Sequence, residues 1–166
     1  MMIRLATTAD AADICAIYNQ YVISSTITFE EVAVSADEMA QRIETIGAAL
    51  PWYVYEAQGR VLGYAYATQW KPRSAYRFSV ESTVYVDLHH AKKGIGIALY
   101  ERLIDDLRAR RTHIVLAGIA LPNQGSIALH QKLGFMQVAQ LREVGRKFDR
   151  WVDVGYWELV LGDAPD

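Results

Sequence analysis

A chain of 166 residues with 52% hydrophobic and 22% charged residues has the make-up of a folded globular domain, long enough to bury a core. Its net charge of -2 excludes a strongly basic surface built to hold nucleic acid. One cysteine, Cys15, excludes an internal disulfide framework, and no apolar run reaches the length of a membrane span.

The N-terminal Met1-Met2-Ile3-Arg4-Leu5 lacks a basic region followed by a long apolar run, so a cytoplasmic protein is expected. Residues 3–5 open as a short strand. Thr7 or Thr8 can cap a helix on which Ile14, Ile17, Tyr18, Tyr21 and Val22 fall at helical spacing. Cys15 joins that apolar stripe as a small core residue. The run Ser24-Ser25-Thr26-Ile27-Thr28-Phe29 breaks the period. Ser35 and Glu38 have capping-box spacing, which predicts a second helix through Met39, Ile43 and Ile46. Residues 52–57 and 61–68 read as strands joined at Gln58-Gly59-Arg60, a hairpin signal. Residues 70–79 form a polar loop carrying Lys71, Arg73 and Arg77. A strand over 80–86 precedes a helix over 94–110, whose Ile97, Tyr100, Leu103, Ile104 and Leu107 share one face. Residues 113–120 read as a buried strand and 124–133 as a short helix stopped by Gly134; 135–143 and 154–161 are two closing strands. The order predicts one mixed α/β domain over residues 1–166, with a strand–helix–strand unit in its second half.

Between the strand at 80–86 and the helix from 94 lies Lys92-Lys93-Gly94-Ile95-Gly96-Ile97. A helix N-terminus offers unpaired N–H groups aligned with the helix dipole, where phosphate oxygens bind well. Gly94 and Gly96 admit a close backbone approach, and Lys92 and Lys93 add charge. A nucleotide P-loop does not fit, because no Gly-Lys-Ser/Thr follows the glycines. A dinucleotide fingerprint lacks its third glycine and later acidic residue. Taken alone, such a turn suits any α/β protein. Glu81, on the strand before it, is either a proton acceptor or a strand carboxylate paired with an arginine. His89-His90 are sequence neighbours that do not easily face one ligand, and they predict no metal site.

The context narrows this. Val84-Tyr85-Val86, the basic glycine turn, and Asn123 ahead of a helix ending in Leu133-Gly134-Phe135 together resemble the GNAT acetyltransferase superfamily. Further segments are similar to its phosphinothricin acetyltransferase subgroup, which acetylates the amino group of small amino-acid-like compounds. These are Lys71-Pro72-Arg73, Val80-Glu81-Ser82-Thr83, Gly118-Ile119-Ala120-Leu121-Pro122-Asn123, Leu129-His130 and Trp151-Val152-Asp153-Val154-Gly155-Tyr156-Trp157. The resemblance covers nearly the whole chain and implies the GNAT fold, a mixed central sheet with helices on both faces.

It also implies acetyl-CoA as co-substrate and no metal. The pantetheine is then expected along Val84, Tyr85 and Val86, and the pyrophosphate on Lys92, Lys93, Gly94, Ile95, Gly96 and Ile97, with Asn123 and Lys132 near the coenzyme. Glu81 and His130 become the catalytic candidates. An ammonium must lose a proton before its nitrogen attacks, and Glu81 is placed to take it. His130 stands where relatives often have the tyrosine that protonates the leaving thiolate; a packed helix histidine is its other reading. Phe29, Lys71, Pro72, Arg73, Ser82 and Thr83 are expected to bound, with Glu81, a small zwitterionic amine, the cations meeting its oxyanion. The sequence departs from the superfamily at Ala91, where a polar or basic residue is usual, which predicts one side-chain contact fewer around an intact backbone cradle. The subgroup's paired protomers imply a homodimer, with neither nucleic acid nor membrane as partner.

Two other activities stay open. A GNAT enzyme for a protein N-terminus, a polyamine or an aminoglycoside would take a cationic acceptor, which Lys71 and Arg73 oppose. A non-catalytic acyl-CoA sensor would have no use for Glu81 and His130. Direct transfer in a ternary complex needs no covalent intermediate, and Cys15 is badly placed to form one.

Overall fold

Alternation along each strand sends neighbouring side chains to opposite faces, and here both faces are covered. The computed structural model describes residues 1–162; the last four positions of the expected domain lie outside the described residues. The elements are β1 (Met2–Leu5), α1 (Ala11–Ser24), α2 (Ala36–Gly47), β2 (Trp52–Ala57), β3 (Arg60–Gln69), β4 (Ser79–Val86), α3 (Ile95–Ala109), β5 (Ile114–Ala120), α4 (Gln124–Lys132), β6 (Met136–Lys147) and β7 (Arg150–Val160). They build a 7-stranded sheet in the order β1-β2-β3-β4-β5-β7-β6. Only β4 and β5 run parallel, and α3 makes the crossover between them.

On β2, Trp52 and Val54 join one core with Ile14, Ile17 and Val22 of α1 and Met39 and Ile43 of α2. Tyr53, between them on the same strand, joins the other core with Leu99, Leu103 and Leu107 of α3. Each helix carries one apolar stripe, so a sheet clad on both faces buries all three stripes. The expected architecture is the one observed.

Three boundaries differ from the sequence reading. The Thr7 N–H donates to the Asp10 carboxylate at 2.8 Å, and that carboxylate also takes the Arg4 guanidinium at 2.7 Å. The threonines therefore lead into a short 3-10 turn over Thr8–Asp10, and α1 starts after it. Ser35 caps α2 as expected, accepting from the Glu38 N–H at 3.2 Å, but the Glu38 carboxylate pairs with Arg42 instead of closing the box. Finally, β6 and β7 extend to a turn at Phe148-Asp149, both at positive φ (49° and 56°). As an edge strand, β6 is exposed on nearly all its residues and carries no apolar alternation, which is why its second half reads as loop.

One interruption positions everything that follows. Strand β4 pairs with β3 from Val80 through Val86, but with β5 only at Ser79, Val80 and Glu81. Beyond Glu81 the two parallel strands part, while β5 stays paired to β7 as far as Ala120.

Candidate active site

The parting strands open a cleft of about 500 Å³, walled by the cleft edge of β4, the turn before α3 and the near face of α4. Val84, Tyr85 and Val86 line it, as do Lys92, Gly94, Ile95, Gly96 and Ile97 and, from the far wall, Asn123 and Lys132. Lys93 does not line it. Gly94 sits at φ +83° as the N-cap of α3, with open space where a Cβ would project, so backbone conformation accounts for this glycine. Lys92 is also left-handed, at φ 62°. Gly96 lies against Leu129 and Val86 at ordinary distances, which makes it a packing contact between the two walls. The first-turn N–H groups of α3 face no capping side chain. The Asn123 side chain caps α4 by accepting from the Ser126 N–H at 3.1 Å, which leaves its NH2 group for the cleft it lines. A cradle of free N–H groups, a strand edge without a partner and an amide donor across from it suit a long, polyanionic, amide-bearing ligand such as a coenzyme A thioester.

Glu81 stands at the last position of β4 that pairs with β5, where the strands begin to part. A Cβ built on Gly118 of β5 would lie 3.1 Å from Glu81 Oε1 and 3.2 Å from the Tyr156 ring, so the missing side chain makes room for the carboxylate. Burial pushes the Glu81 carboxyl above the usual range, and the charge of Lys71 pulls it part of the way back. Lys71 Nζ lies 4.7 Å over the Trp70 ring, and Trp70 meets Tyr156 edge-on at 5.4 Å. Glu81, Tyr156, Trp70 and Lys71 thus form one continuous patch. Thr83 shares the Glu81 face of β4, two residues on. Pro72 and Arg73 are exposed in the same loop, whereas Arg77 stacks on Phe78 at 4.5 Å.

Two expected residues, Ser82 and His130, are placed differently from the sequence reading. Ser82 is buried on the opposite face of β4, with its hydroxyl 3.2 Å from the Leu116 carbonyl and 3.1 Å from the Tyr100 hydroxyl, so of the Ser82-Thr83 pair it is Thr83 that shares the Glu81 face. His130 is 2% exposed, and both ring nitrogens have partners: Nδ1 meets the Ser126 carbonyl at 2.7 Å and Nε2 the Tyr100 hydroxyl at 2.9 Å. Burial lowers its pKa, which leaves a neutral imidazole. Phe29 is half-exposed and lies against β6, where a Cβ on Gly145 would run into its ring. His89 and His90 fall in the turn after β4 around Asp87, and no cluster of three metal-ligating side chains occurs among the described residues.

Other residues entered the site unannounced. Tyr21, read as part of an apolar helix stripe, donates to the Val86 carbonyl at 2.5 Å and lines the cleft. Tyr156 and Trp70, each read as packing or loop, wall the Glu81 patch. Gly118 inside a buried strand was the available signal, since a strand glycine often marks a close approach. Tyr100 gave no signal, because a tyrosine on an apolar helix face looks like core.

Residues 3–155 match the family described as Acetyltransferase (GNAT) domain. The chain is 42% identical to a phosphinothricin N-acetyltransferase of Streptomyces viridochromogenes, over 94% of this chain and 85% of that one. It is 39% identical to an L-methionine sulfoximine/L-methionine sulfone acetyltransferase of Salmonella typhimurium, over 100% of this chain and 99% of that one. Among solved structures, a GNAT superfamily phosphinothricin acetyltransferase from Sinorhizobium meliloti, in complex with acetyl-CoA, superposes with a TM-score of 0.93 at 37% identity, over 98% of this chain and 89% of that one.

Proposed function

The chain belongs to the GNAT acetyltransferase family, and from that premise we propose that it transfers an acetyl group from acetyl-CoA to the α-amino group of a small amino acid or analogue of the phosphinothricin, methionine sulfoximine or methionine sulfone type. One observation carries the reading: a carboxylate with a raised pKa, Glu81, stands where β4 parts from β5, under the charge of Lys71, on the strand whose next residues line the cleft.

The chain's own groups divide the work. Val84, Tyr85 and Val86 offer a strand edge to the pantetheine, the N–H groups from Gly94 to Ile97 hold the pyrophosphate, Lys92 and Lys132 add charge, and Asn123 donates from its side-chain amide. Lys93, exposed beside the turn, adds only long-range charge. Lys71 and Arg73 meet the acceptor's carboxylate or second oxyanion, with Pro72 stiffening the loop between them and Phe29 and Thr83 completing the wall. Glu81 accepts a proton from the bound ammonium, directly or through one water; its raised pKa brings it closer to the operating pH. Acetyl-CoA supplies the activated acyl group, and transfer is direct. Cys15 gives its Sγ–H to the Val34 carbonyl at 2.8 Å within the α1–α2 core and takes no part.

We assign one acetyltransferase domain to residues 1–166, acting in the cytoplasm, where acetyl-CoA is at hand. We further infer a homodimer: β6 is a long edge strand, and Val138, Leu141, Val144 and Trp151 on it and its neighbour β7 are exposed. The activity is tested with acetyl-CoA and a panel of amines, read as free thiol. Turnover with methionine sulfone, methionine sulfoximine or phosphinothricin, and little with polyamines or aminoglycosides, is expected. Retained coenzyme binding with no thiol release from any amine would mark a sensor instead.

A further inference from the structure

A chain of buried polar groups crosses from the strand gap into α4. Ser82 Oγ, the Tyr100 hydroxyl, His130 Nε2, His130 Nδ1 and the Ser126 carbonyl follow one another at 3.1 Å, 2.9 Å and, beyond the ring, 2.7 Å. Its direction is fixed from the far end. A carbonyl only accepts, so Nδ1 carries the ring hydrogen and Nε2 presents its lone pair. Tyr100 therefore donates to Nε2, and Ser82 donates to Tyr100 or to the Leu116 carbonyl.

Tyr100 is 1% exposed, yet it borders a cavity of about 90 Å³ in the strand gap, together with Ser82, Thr83, Gly118 and His130. Gly118 is the residue that faces the Glu81 carboxylate. The carboxylate and the hydroxyl chain thus approach the same gap from opposite faces of β4. A histidine with both nitrogens engaged reaches that gap most directly through the hydroxyl it holds.

We propose that Tyr100 is the relay through which His130 exchanges a proton with the reacting groups; this rests on the acetyl-transfer reading above. Glu81 takes the ammonium's first proton and later loses it to solvent. As the amine nitrogen forms its bond to the thioester carbon, Tyr100 takes that nitrogen's second hydrogen and passes its own to Nε2. As the carbon–sulfur bond breaks and sulfur leaves with the electron pair, the shift reverses, and a hydrogen passes from Nε2 through Tyr100 to the thiolate. Nitrogen has lost two hydrogens, one through Glu81 to solvent and one through Tyr100 to sulfur, while the phenol and the imidazole end as they began. Tyr100 never has to persist as a phenolate, which its burial strongly disfavours.

The test compares wild type, Tyr100→Phe, His130→Gln and the double variant by thiol release with acetyl-CoA and methionine sulfone between pH 5.5 and 9.5, alongside the ¹⁵N spectrum of the His130 ring. For Tyr100→Phe, a kcat lower by about a hundredfold is expected, with both KM values nearly unchanged and a lowered melting temperature, since the buried His130 Nε2 loses its donor. The double variant should be no slower than His130→Gln alone, since groups acting as a unit lose their function once. A Tyr100→Phe kcat within about threefold of wild type beside a slow His130→Gln, or losses that multiply, would overturn the relay. The ring spectrum decides independently of turnover and of how well the variants fold: hydrogen on Nδ1 is expected, and hydrogen on Nε2 in the wild type overturns the direction of transfer. Absence of thiol release by the wild type with every amine would overturn the acetyl-transfer reading, and the ring spectrum would still report on the chain.

Discussion

In the proposed mechanism Glu81 trades stability for reactivity, and the two can be read separately. Burial raises its folded pKa above the ordinary carboxyl value of 4.5, so between those two values the folded protein binds more protons than the unfolded chain. Stability therefore falls as pH rises through that window, and at neutral pH the buried charge is a penalty. Glu81→Gln should melt above wild type at pH 7, with the gap closing below pH 4.5, and calorimetry across that range checks it. The same variant should lower kcat by about 10²- to 10⁴-fold and erase the acid limb of the pH–rate profile. A variant that turns over normally would remove Glu81 from the role of base. Glu81 was legible from the sequence because the motif around it is contiguous. The surroundings that set its pKa were not, since they come from two other strands (Gly118 of β5 and Tyr156 of β7) and a loop (Lys71). His130 was legible by position, but its isolation behind Tyr100 depends on how α3 packs on α4, which one helical stripe does not encode.

At the scale of elements, the segment between α1 and α2 is held by a residue 119 positions away. Lys147, 1% exposed near the end of β6, donates to the Val22 carbonyl at 2.7 Å and the Thr28 carbonyl at 2.9 Å. Gly145, two residues earlier, lets the Phe29 ring come close to the strand, where a Cβ would collide with it. The hairpin thus fastens the loop that bears a proposed acceptor-wall residue. Lys147→Met keeps the stem and leaves two buried carbonyls unpaired, a cost of about 2 kcal/mol or more. A lower melting temperature and a raised KM for the amine, with KM for acetyl-CoA unchanged, are expected from denaturation and steady-state kinetics. An equal rise in both KM values would place the tether's effect elsewhere. Helices and central strands were legible because their apolar periods are strong. The β6–β7 hairpin was underestimated because an exposed edge strand has no buried face to enforce alternation, and its turn uses Phe148-Asp149 in place of a glycine pair.

At the scale of the molecule, that edge has to be covered or tolerated. A 12-residue edge strand with an unpaired outer rim and exposed Val138, Leu141 and Val144 invites a second copy. Sedimentation equilibrium should show a dimer, and Leu141→Lys should shift it toward monomer without unfolding it; a monomeric wild type would end the proposal. The opposite flaw, inside the sheet, has a wider consequence. Past Glu81, β4 has a partner on one side only, so a ligand lying along Val84 to Val86 acts as the strand that evolution left out. Folding and coenzyme supply are then linked by mass action: a hundredfold excess over the dissociation constant adds about 2.7 kcal/mol to stability. A cell short of acetyl-CoA and coenzyme A would hold the enzyme in its less stable form, and its lifetime against proteolysis would follow the abundance of the metabolite it consumes.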